Sequence, residues 1–249
     1  MKILSIIQAR MSSTRLPGKV MLPFAGSTII ECTYRRLERS IRSDQVIVAT
    51  STDISDDPLA QLLKQKNLNY FRGSLEDVLK RFITICNQFN PQFIVRITGD
   101  CPLVDPKIVD ACIEEATSKN YDYCRVLEPY PDGLDVEVFK CSALEVAHLH
   151  SKKFSEREHL GQYFLNHPSK FMIGGITLFE DKYQDIRLTL DEQCDYDLFL
   201  ELEKRIESLE HISSPELLSY ILSHKSLLKI NSQIQRNAGL IKSISQDKK

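Results

Sequence analysis

The residues best suited to chemistry lie in one loop near the N-terminus, at positions 8–19. An apolar run, Ile3–Ile7, precedes the loop and predicts a buried strand, so the loop leaves the carboxyl end of that strand. Backbone N–H groups, hydroxyls and fixed positive charges are what a polyphosphate needs. The candidate phosphate ligands are the side chains of Arg10, Arg15 and Lys19 and the hydroxyl or backbone donors of Ser12, Ser13 and Gly18. For Arg10 alone, a surface ion pair is the equally simple alternative.

The loop does not match the two common glycine-rich phosphate motifs. It contains neither G-x-G-x-x-G nor G-x-x-x-x-G-K-[ST], so the sequence gives no support to a dinucleotide fold or a P-loop ATPase in those forms. It therefore predicts a different kind of phosphate site.

Two aspartates follow later strand-like runs and are candidate metal ligands. Asp100 follows Phe93–Thr98, and Asp191 follows Arg187–Leu190, which we also interpret as a strand. One or two carboxylates beside a polyphosphate suit Mg²⁺, with substrate oxygens and waters completing its shell. For Asp100 the alternative is a helix or turn cap, which is common for aspartate before proline.

The elements that must position these residues alternate between apolar runs and helical patterns. This alternation is typical of βαβ units and of a parallel or mixed sheet, in which ligands bind at the carboxyl ends of the strands. The continuous run Val46–Thr50 suits a strand that is buried on both faces. Asp57-Pro58 and Asp105-Pro106 each predict a helix start. The fold class is therefore α/β, with a parallel or mixed sheet.

The second half of the chain has a less regular pattern. Ser155-Glu156-Arg157-Glu158 matches a capping box, which predicts a helix from there to Asn166. A further helix is expected at 195–207, with Asp195 as a candidate N-cap. We expect a catalytic domain at 1–210 and a helical C-terminal extension at 211–249. Gly239 is the expected helix stop, and residues 243–249 are expected to form a frayed tail.

Composition argues against several classes of protein. The net charge of the 249 residues is −2, so there is no general basic surface for nucleic acid or an anionic membrane. No apolar run approaches the length of a membrane span, and no signal peptide precedes the first strand. The seven cysteines are dispersed without a C-x-x-C pair, as expected for reduced thiols. We expect a cytoplasmic protein that binds neither nucleic acid nor membrane.

The motifs together resemble a known family. The run QARMSSTRLPGK at 8–19 is similar to the signature loop of the cytidylyltransferases that include spore-coat polysaccharide protein F. That family is related to the synthetases that activate sialic acid and KDO (3-deoxy-manno-octulosonate) as CMP-sugars. The similarity covers roughly residues 1–207 and continues, in order, through 48–51, 71–74, 96–103, 130–139 and 155–159. It implies a Rossmann-like, three-layer nucleotidyltransferase fold of the nucleotide-diphospho-sugar transferase type, with a mixed, mostly parallel sheet.

The resemblance also implies a nucleotide site. Arg10, Arg15 and Lys19 would act in catalysis by holding the triphosphate of CTP, with Mg²⁺ bound by Asp100 and Asp191. The relatives usually have Thr-Pro between the two aspartates of the Asp191 motif, whereas this chain has Glu192-Gln193-Cys194. Arg72 would lie where the related synthetases contact the pyrimidine base. The alternative for this segment is a helix start, with Ser74 as the N-cap. The predicted nucleotide-binding residues are Gln8, Ala9, Arg10, Ser12, Ser13, Arg15, Lys19, Arg72 and Thr98.

The acceptor site is predicted in the second half of the chain. Asp135 and Glu137 alternate on an expected strand and so face the same side, where they repel unless a cation or sugar hydroxyls lie between them. Arg157 could grip an anionic acceptor with two hydrogen bonds, whereas a lone histidine such as His159 is more often structural. The predicted acceptor-binding residues are Tyr130, Asp132, Asp135, Glu137, Arg157 and His159.

Three functions therefore remain open at this point. The first is a Mg²⁺-dependent cytidylyltransferase that joins CMP from CTP to a sugar or sugar-like acid, for a surface polysaccharide. The second is a glycosyltransferase that consumes a nucleotide-sugar, although Asp135-Val136-Glu137 only loosely imitates its Asp-x-Asp metal motif. The third is a catalytically silent nucleotide-binding protein. The resemblance also implies a homodimer, with 127–139 or 171–179 as the arm, and the identities of acceptor and base stay open.

Overall fold

The computed structural model describes residues 1–247. Within that range a seven-stranded sheet has the order β5-β4-β1-β6-β8-β7-β9, and β2 and β3 form a separate hairpin. The strands are β1 (Ile3–Gln8), β2 (Pro23–Phe24), β3 (Ser27–Thr28), β4 (Gln45–Ser51), β5 (Tyr70–Gly73), β6 (Phe93–Thr98), β7 (Tyr123–Val126), β8 (Glu137–Lys140) and β9 (Ile173–Ile176). The helices are α1 (Ile29–Leu37), α2 (Asp57–Gln65), α3 (Val78–Phe89), α4 (Pro106–Ser118), α5 (Cys141–His150), α6 (Phe154–Glu158), α7 (Gly161–Asn166), α8 (Gln193–Arg205), α9 (Ser214–Ser223), α10 (Lys225–Leu228) and α11 (Ala238–Gln246).

The sheet is mixed and mostly parallel, as predicted. Strands β5, β4, β1 and β6 run parallel, while β8 is antiparallel to both β6 and β7. In this register Gln8 lies opposite Thr98, and Glu137 lies opposite Arg96. The carboxyl ends of β1 and β6 therefore meet the amino end of β8 at one edge of the sheet.

The hydrophobic core lies on both faces of the sheet. Ile3 and Ile7 of β1 pack on one side, and Leu4 and Ile6 pack on the other, because successive side chains of a strand point to opposite faces. Helices α1, α4, α8 and α9 contribute to the first side, and α3, α5 and α7 contribute to the second. The protein is thus a three-layer α/β fold, which confirms the predicted class.

Several predicted boundaries are wrong. Residues 187–190 are not a strand, because only Arg187 forms an isolated bridge, to Asp132. The predicted helix at 155–166 is two short helices, α6 and α7, and Ser155 does not cap the first of them. Its hydroxyl and backbone N–H instead donate to Asp247, which lies 92 residues later in the chain.

The C-terminal extension packs against the rest of the fold. The guanidinium of Arg36 donates to the backbone oxygen of Ile212 at 2.9 Å, and Asp105 accepts from the backbone N–H of Ser214 at 2.7 Å. Leu217, Leu218 and Ile221 join the first side of the core. The domain division at residue 210 and the homodimer stay predictions.

The end of the chain differs from the prediction. Gly239 lies inside α11 rather than stopping a helix, and residues 243–246 are helical rather than frayed. The prediction of a frayed tail at 248–249 falls outside the described residues. No helix within 1–247 is long and apolar enough to cross a bilayer.

Candidate active site

A cavity of about 700 Å³ opens at the edge where β1, β6 and β8 meet. Its walls come from the loop 8–19, the end of β6, the segment 128–137, helices α6 and α7, the segment 187–191 and helix α11. These walls lie far apart in the sequence, so the cavity exists only in the folded chain.

The loop 8–19 is held in place by a buried carboxylate and a turn glycine. Asp56 accepts hydrogen bonds from the backbone N–H groups of Met11 and Ser51, at 2.7 and 3.0 Å. The N–H of Gly18 donates to the backbone oxygen of Met11 at 3.0 Å, and Gly18 has φ of +72°, which favours glycine. The cations of the loop therefore project from a fixed turn into the cavity.

Lys19 lies between the two predicted metal ligands. Its Nζ donates to Asp100 Oδ2 at 2.6 Å, to Asp191 Oδ1 at 2.9 Å and to the backbone oxygen of Leu190 at 2.7 Å. Burial alone would lower the pKa of Lys19, but the two aspartates outweigh it and raise the pKa. Burial would raise the pKa of Asp191, but Lys19 and Arg15 lower it to about 2. The lysine is thus held charged, and all three of its donors are used.

The same two aspartates are suitable for a divalent cation. Both accept from one ammonium group, so their oxygens converge on one point, and carboxylate oxygens are the ligands that Mg²⁺ prefers. Residues 1–247 contain no cluster of three or more acidic, histidine or cysteine ligands. A metal here would replace Lys19 as the partner of these carboxylates.

Arg187 organises the acidic end of the cavity. Its guanidinium contacts Asp132, Asp191 and Asp195, with 2.9 Å from Nη2 to Asp191 Oδ2 and from Nε to Asp195 Oδ1. Burial would lower the pKa of Arg187, but these carboxylates raise it. Asp195 also accepts from the backbone N–H groups of Asp191 and Glu192, so it forms a capping box at the start of α8 and is not the N-cap itself.

A second ion pair crosses the sheet beside the loop. Arg96 donates to Gln8 Oε1 at 2.8 Å and pairs with Glu137, which also accepts from the hydroxyl of Tyr123 at 2.6 Å. Asp135 lies just before β8 and lines the same wall. Burial, followed by the nearby Asp132, raises the pKa of Asp135 to about 6.

The side chain of His159 forms a hydrogen bond with the C-terminal helix α11. Its Nε2 lies 3.1 Å from the hydroxyl of Ser243, which in turn donates to the backbone oxygen of Gly239 at 3.1 Å. Burial and the nearby Arg96 lower the pKa of His159 to about 4, so the ring is neutral at ordinary pH. Since the hydroxyl proton of Ser243 is used at Gly239, Nε2 of His159 carries the hydrogen of this contact.

Most of the predicted site residues line this one cavity, but four do not. Ser12 is exposed, and the backbone N–H of Gly18 donates to Met11 within the loop itself. Arg72 donates to the backbone oxygen of Ser51 and pairs with Asp57, and Arg157 pairs with Asp77. Their predicted substrate contacts therefore have no geometric support. The residues that the cavity brings together are Gln8, Ala9, Arg10, Ser13, Arg15, Lys19, Thr98, Asp100, Tyr130, Asp132, Asp135, Glu137, His159 and Asp191.

The alternative prediction for the Arg72 segment, a helix capped by Ser74, named the wrong N-cap. Asp77, not Ser74, is the N-cap of α3, because its side chain accepts from the backbone N–H of Lys80 at 2.9 Å. Ser74 instead accepts from the backbone N–H of Asp77 at 3.1 Å.

Sequence reasoning missed several cavity residues. Arg96 was detectable, because an arginine within the apolar run 93–98 needs a buried partner. Arg187 offered a similar signal next to Leu188 and Leu190. The residues of α11 carried no local signal, because nothing in the sequence places that segment over the cavity.

A mixed α/β sheet with a basic loop and paired aspartates at one edge defines a nucleotidyltransferase fold. Comparison with known proteins agrees. The cytidylyltransferase family model matches residues 4–226. The chain belongs to the cytidylyltransferase family.

Two relatives cover most of the chain. It is 35% identical to the protein MJ1063 of Methanocaldococcus jannaschii over 96% of this chain and 98% of that one. It is 32% identical to the spore coat polysaccharide biosynthesis protein SpsF of Bacillus subtilis, over 88% of this chain and 93% of the relative. The predicted resemblance to the spore-coat family is confirmed.

Two solved structures have the same fold. A cytidylyltransferase from Leptospira borgpetersenii serovar Hardjo-bovis is 32% identical, with a TM-score of 0.87 over 95% of this chain and all of that one. A CMP-KDO synthetase solved in complex with CTP is 15% identical, with a TM-score of 0.65 over 83% of this chain and all of that one. The second similarity shows the fold alone.

Proposed function

We propose that this protein transfers CMP from CTP to a sugar or sugar-like acid and releases pyrophosphate. The observation that carries the proposal is the arrangement of Arg10, Arg15 and Lys19 on one wall of a cavity with Asp100 and Asp191 beside them. A triphosphate needs fixed cations, and a cation held by carboxylates stabilises the leaving phosphates. The spore coat polysaccharide relative supports a product used in surface polysaccharide synthesis.

The proposed reaction is a displacement at the α-phosphorus of CTP. An acceptor hydroxyl oxygen forms a bond to this phosphorus, and the bond to the bridging oxygen of the β-phosphate breaks, so that pyrophosphate leaves with the electron pair. The hydroxyl proton passes to the carboxylate of Asp135. Because the pKa of Asp135 is raised to about 6, it accepts a proton more readily than an ordinary aspartate.

The cations of the loop 8–19 would bind different parts of the triphosphate. Arg10 and Arg15 remain partly exposed, at 45% and 34% of the side chain, and pair with carboxylates at distances of 3.0–3.5 Å. They can exchange these partners for phosphate oxygens at small cost. Lys19 would bind the leaving pyrophosphate, and Asp100 and Asp191 would hold Mg²⁺. The metal, when bound, would neutralise charge that develops on the phosphate oxygens.

The remaining predicted features are part of the proposal. Gln8, Ala9, Ser13 and Thr98 line the nucleotide side of the cavity, while Tyr130, Asp132, Asp135 and Glu137 line the acceptor side. We further propose that the enzyme works in the cytoplasm as a homodimer.

The test is pyrophosphate release from each nucleoside triphosphate with Mg²⁺ and a panel of acidic sugars. We expect release with CTP and loss of turnover in Asp100→Asn, with the melting temperature of the variant unchanged. A CTP-independent transfer from a nucleotide-sugar would instead support the glycosyltransferase. If no triphosphate raises the melting temperature of the wild type, the nucleotidyltransferase proposal is wrong.

A further inference from the structure

The cavity has a wall that the family match does not include. The cytidylyltransferase match ends at residue 226, whereas α11 begins at Ala238. Most of the α11 residues that line the cavity, at positions 238, 239, 242, 243 and 246, have the spacing of one helix face. A segment beyond the matched family model therefore helps to shape the cavity.

Helix α11 is docked by specific polar contacts. Asp247, just after the helix, accepts from the backbone N–H of Ser155 at 2.8 Å and from its hydroxyl. Ser243 is buried and contacts His159, as described above. These contacts attach α11 to α6 and to the turn after it, at the acceptor side of the cavity.

The segment that leads into α11 also contacts the acceptor side. Arg236 donates to the backbone oxygen of Tyr130 at 3.0 Å, and its guanidinium lies 4.2 Å from the centre of the Tyr130 ring. The same side chain pairs with Glu128 at 3.4 Å. Contacts with the acceptor side are therefore made at both ends of the segment, by Arg236 before α11 and by Asp247 just after it.

Some of the cations that line the cavity already have hydrogen-bond or ion-pair partners in the described residues, and others do not. Within residues 1–247, six of these cations pair with carboxylates or donate to backbone oxygens: Arg10, Arg15, Lys19, Arg81, Arg96 and Arg187. The side chains of Arg125 and Lys242 make no hydrogen bond or ion pair with the described residues. A charge that faces a cavity without a partner is available to a ligand of opposite charge.

We propose that α11 forms the acceptor-side wall and that Lys242 binds an anionic group of the acceptor, a carboxylate in the case of a sugar acid. This inference rests on the proposed function and deepens it by assigning the acid group of the acceptor to a residue beyond the matched family model, which ends at residue 226. Arg125 on β7 supplies a second free charge in the same cavity, within the described part of the chain. The triphosphate, in contrast, is served by the loop 8–19.

The test is a comparison of Lys242→Gln with Lys225→Gln, an exposed lysine on α10 that does not line the cavity. Pyrophosphate release is measured with CTP and Mg²⁺, using 3-deoxy-manno-octulosonate and N-acetylneuraminate as acceptor probes. Loss of a charge-assisted hydrogen bond should raise the KM for the acceptor about tenfold or more in Lys242→Gln, with the KM for CTP unchanged. Lys225→Gln should match the wild type in both constants.

The outcomes separate the two proposals. If the wild type turns over and Lys242→Gln has an unchanged KM for the acceptor, the assignment of Lys242 is wrong while the proposed function stands. If the wild type binds CTP but accepts neither probe, the sugar-acid acceptor and the assignment of Lys242 both fail. If CTP neither binds nor reacts, the nucleotidyltransferase proposal itself fails, and this inference fails with it.

A second pair of variants tests the docking of α11. Ser243→Ala removes the contact with His159, whereas Ser245→Ala changes an exposed serine of the same helix that does not line the cavity. In Ser243→Ala we expect faster amide hydrogen exchange at 238–246 and a raised KM for the acceptor, with neither change in Ser245→Ala. Faster exchange with an unchanged KM for the acceptor would show that the docked helix has no part in acceptor binding.

Discussion

Replacing Asp135 by asparagine should stabilise the protein at pH 8 and lower its activity. The pKa of Asp135 is raised from 3.8 to about 6 by burial and by Asp132, so its charged form is disfavoured in the folded state. A raised carboxyl pKa costs stability above the folded value, and this cost disappears as the pH falls below the unfolded value. Asparagine, which does not ionise, avoids the cost only at the higher pH.

The size of the effect follows from the two pKa values. A rise from 3.8 to about 6 corresponds to about 3 kcal/mol of unfolding free energy at pH 8, and to only about 0.5 kcal/mol at pH 4. For a chain of this length, that is an increase of about 6–12 °C in Tm. Because Asp135 is the proposed proton acceptor, turnover should fall about a hundredfold or more.

The assay is urea unfolding of the wild type and of Asp135→Asn at pH 8 and pH 4, together with pyrophosphate release. Asp185→Asn, which changes an exposed aspartate away from the cavity, is the matched control and should alter neither property. Equal stabilisation by Asp135→Asn at both pH values would refute the argument from charge. Destabilisation at pH 8 would show that the carboxylate is held by contacts that outweigh its burial.

Two further variants test the packing around the cavity. Arg187→Met should lower the unfolding free energy by about 3 kcal/mol or more, because it leaves the buried Asp195 without its charged partner. A loss below about 1 kcal/mol in urea unfolding would contradict this account of the acidic end. Gly161→Ala should cost about 1–3 kcal/mol, since its methyl group would overlap the Glu137 carboxylate. Gly239→Ala, with open space around its added methyl, should be neutral or stabilising by thermal unfolding; equal effects would show that crowding at Gly161 is unimportant.

The sequence was sufficient to predict the fold class and the nucleotide side of the cavity. The apolar run 46–50 forms β4, and Asp105 caps α4 as expected. The loop 8–19 and Asp100 follow neighbouring parallel strands, so strand order alone brings them to one edge. Local patterns were reliable here because the contacts that they imply are local or follow directly from the sheet.

The errors occurred where distant residues replaced a local partner. Ser155 satisfies the capping-box pattern, but Asp247 supplies its partner, and no local pattern reports a carboxylate 92 residues away. Residues 187–190 have the composition of a strand, yet their bridge to the rest of the chain is formed at Arg187 alone. The predicted helix stop at Gly239 was wrong for the same reason, because tertiary contacts hold the helix that contains this glycine in place.

The central claim is the transfer of CMP, and the most direct measurement follows the two ends of the triphosphate separately. The protein is incubated with Mg²⁺, an acidic-sugar acceptor and CTP labelled at either the α- or the γ-phosphorus. We predict that the α-label appears in an acceptor conjugate while the γ-label appears in an equimolar amount of pyrophosphate. Release of the γ-label as inorganic phosphate, or transfer of sugar from a nucleotide-sugar without CTP, would contradict the account.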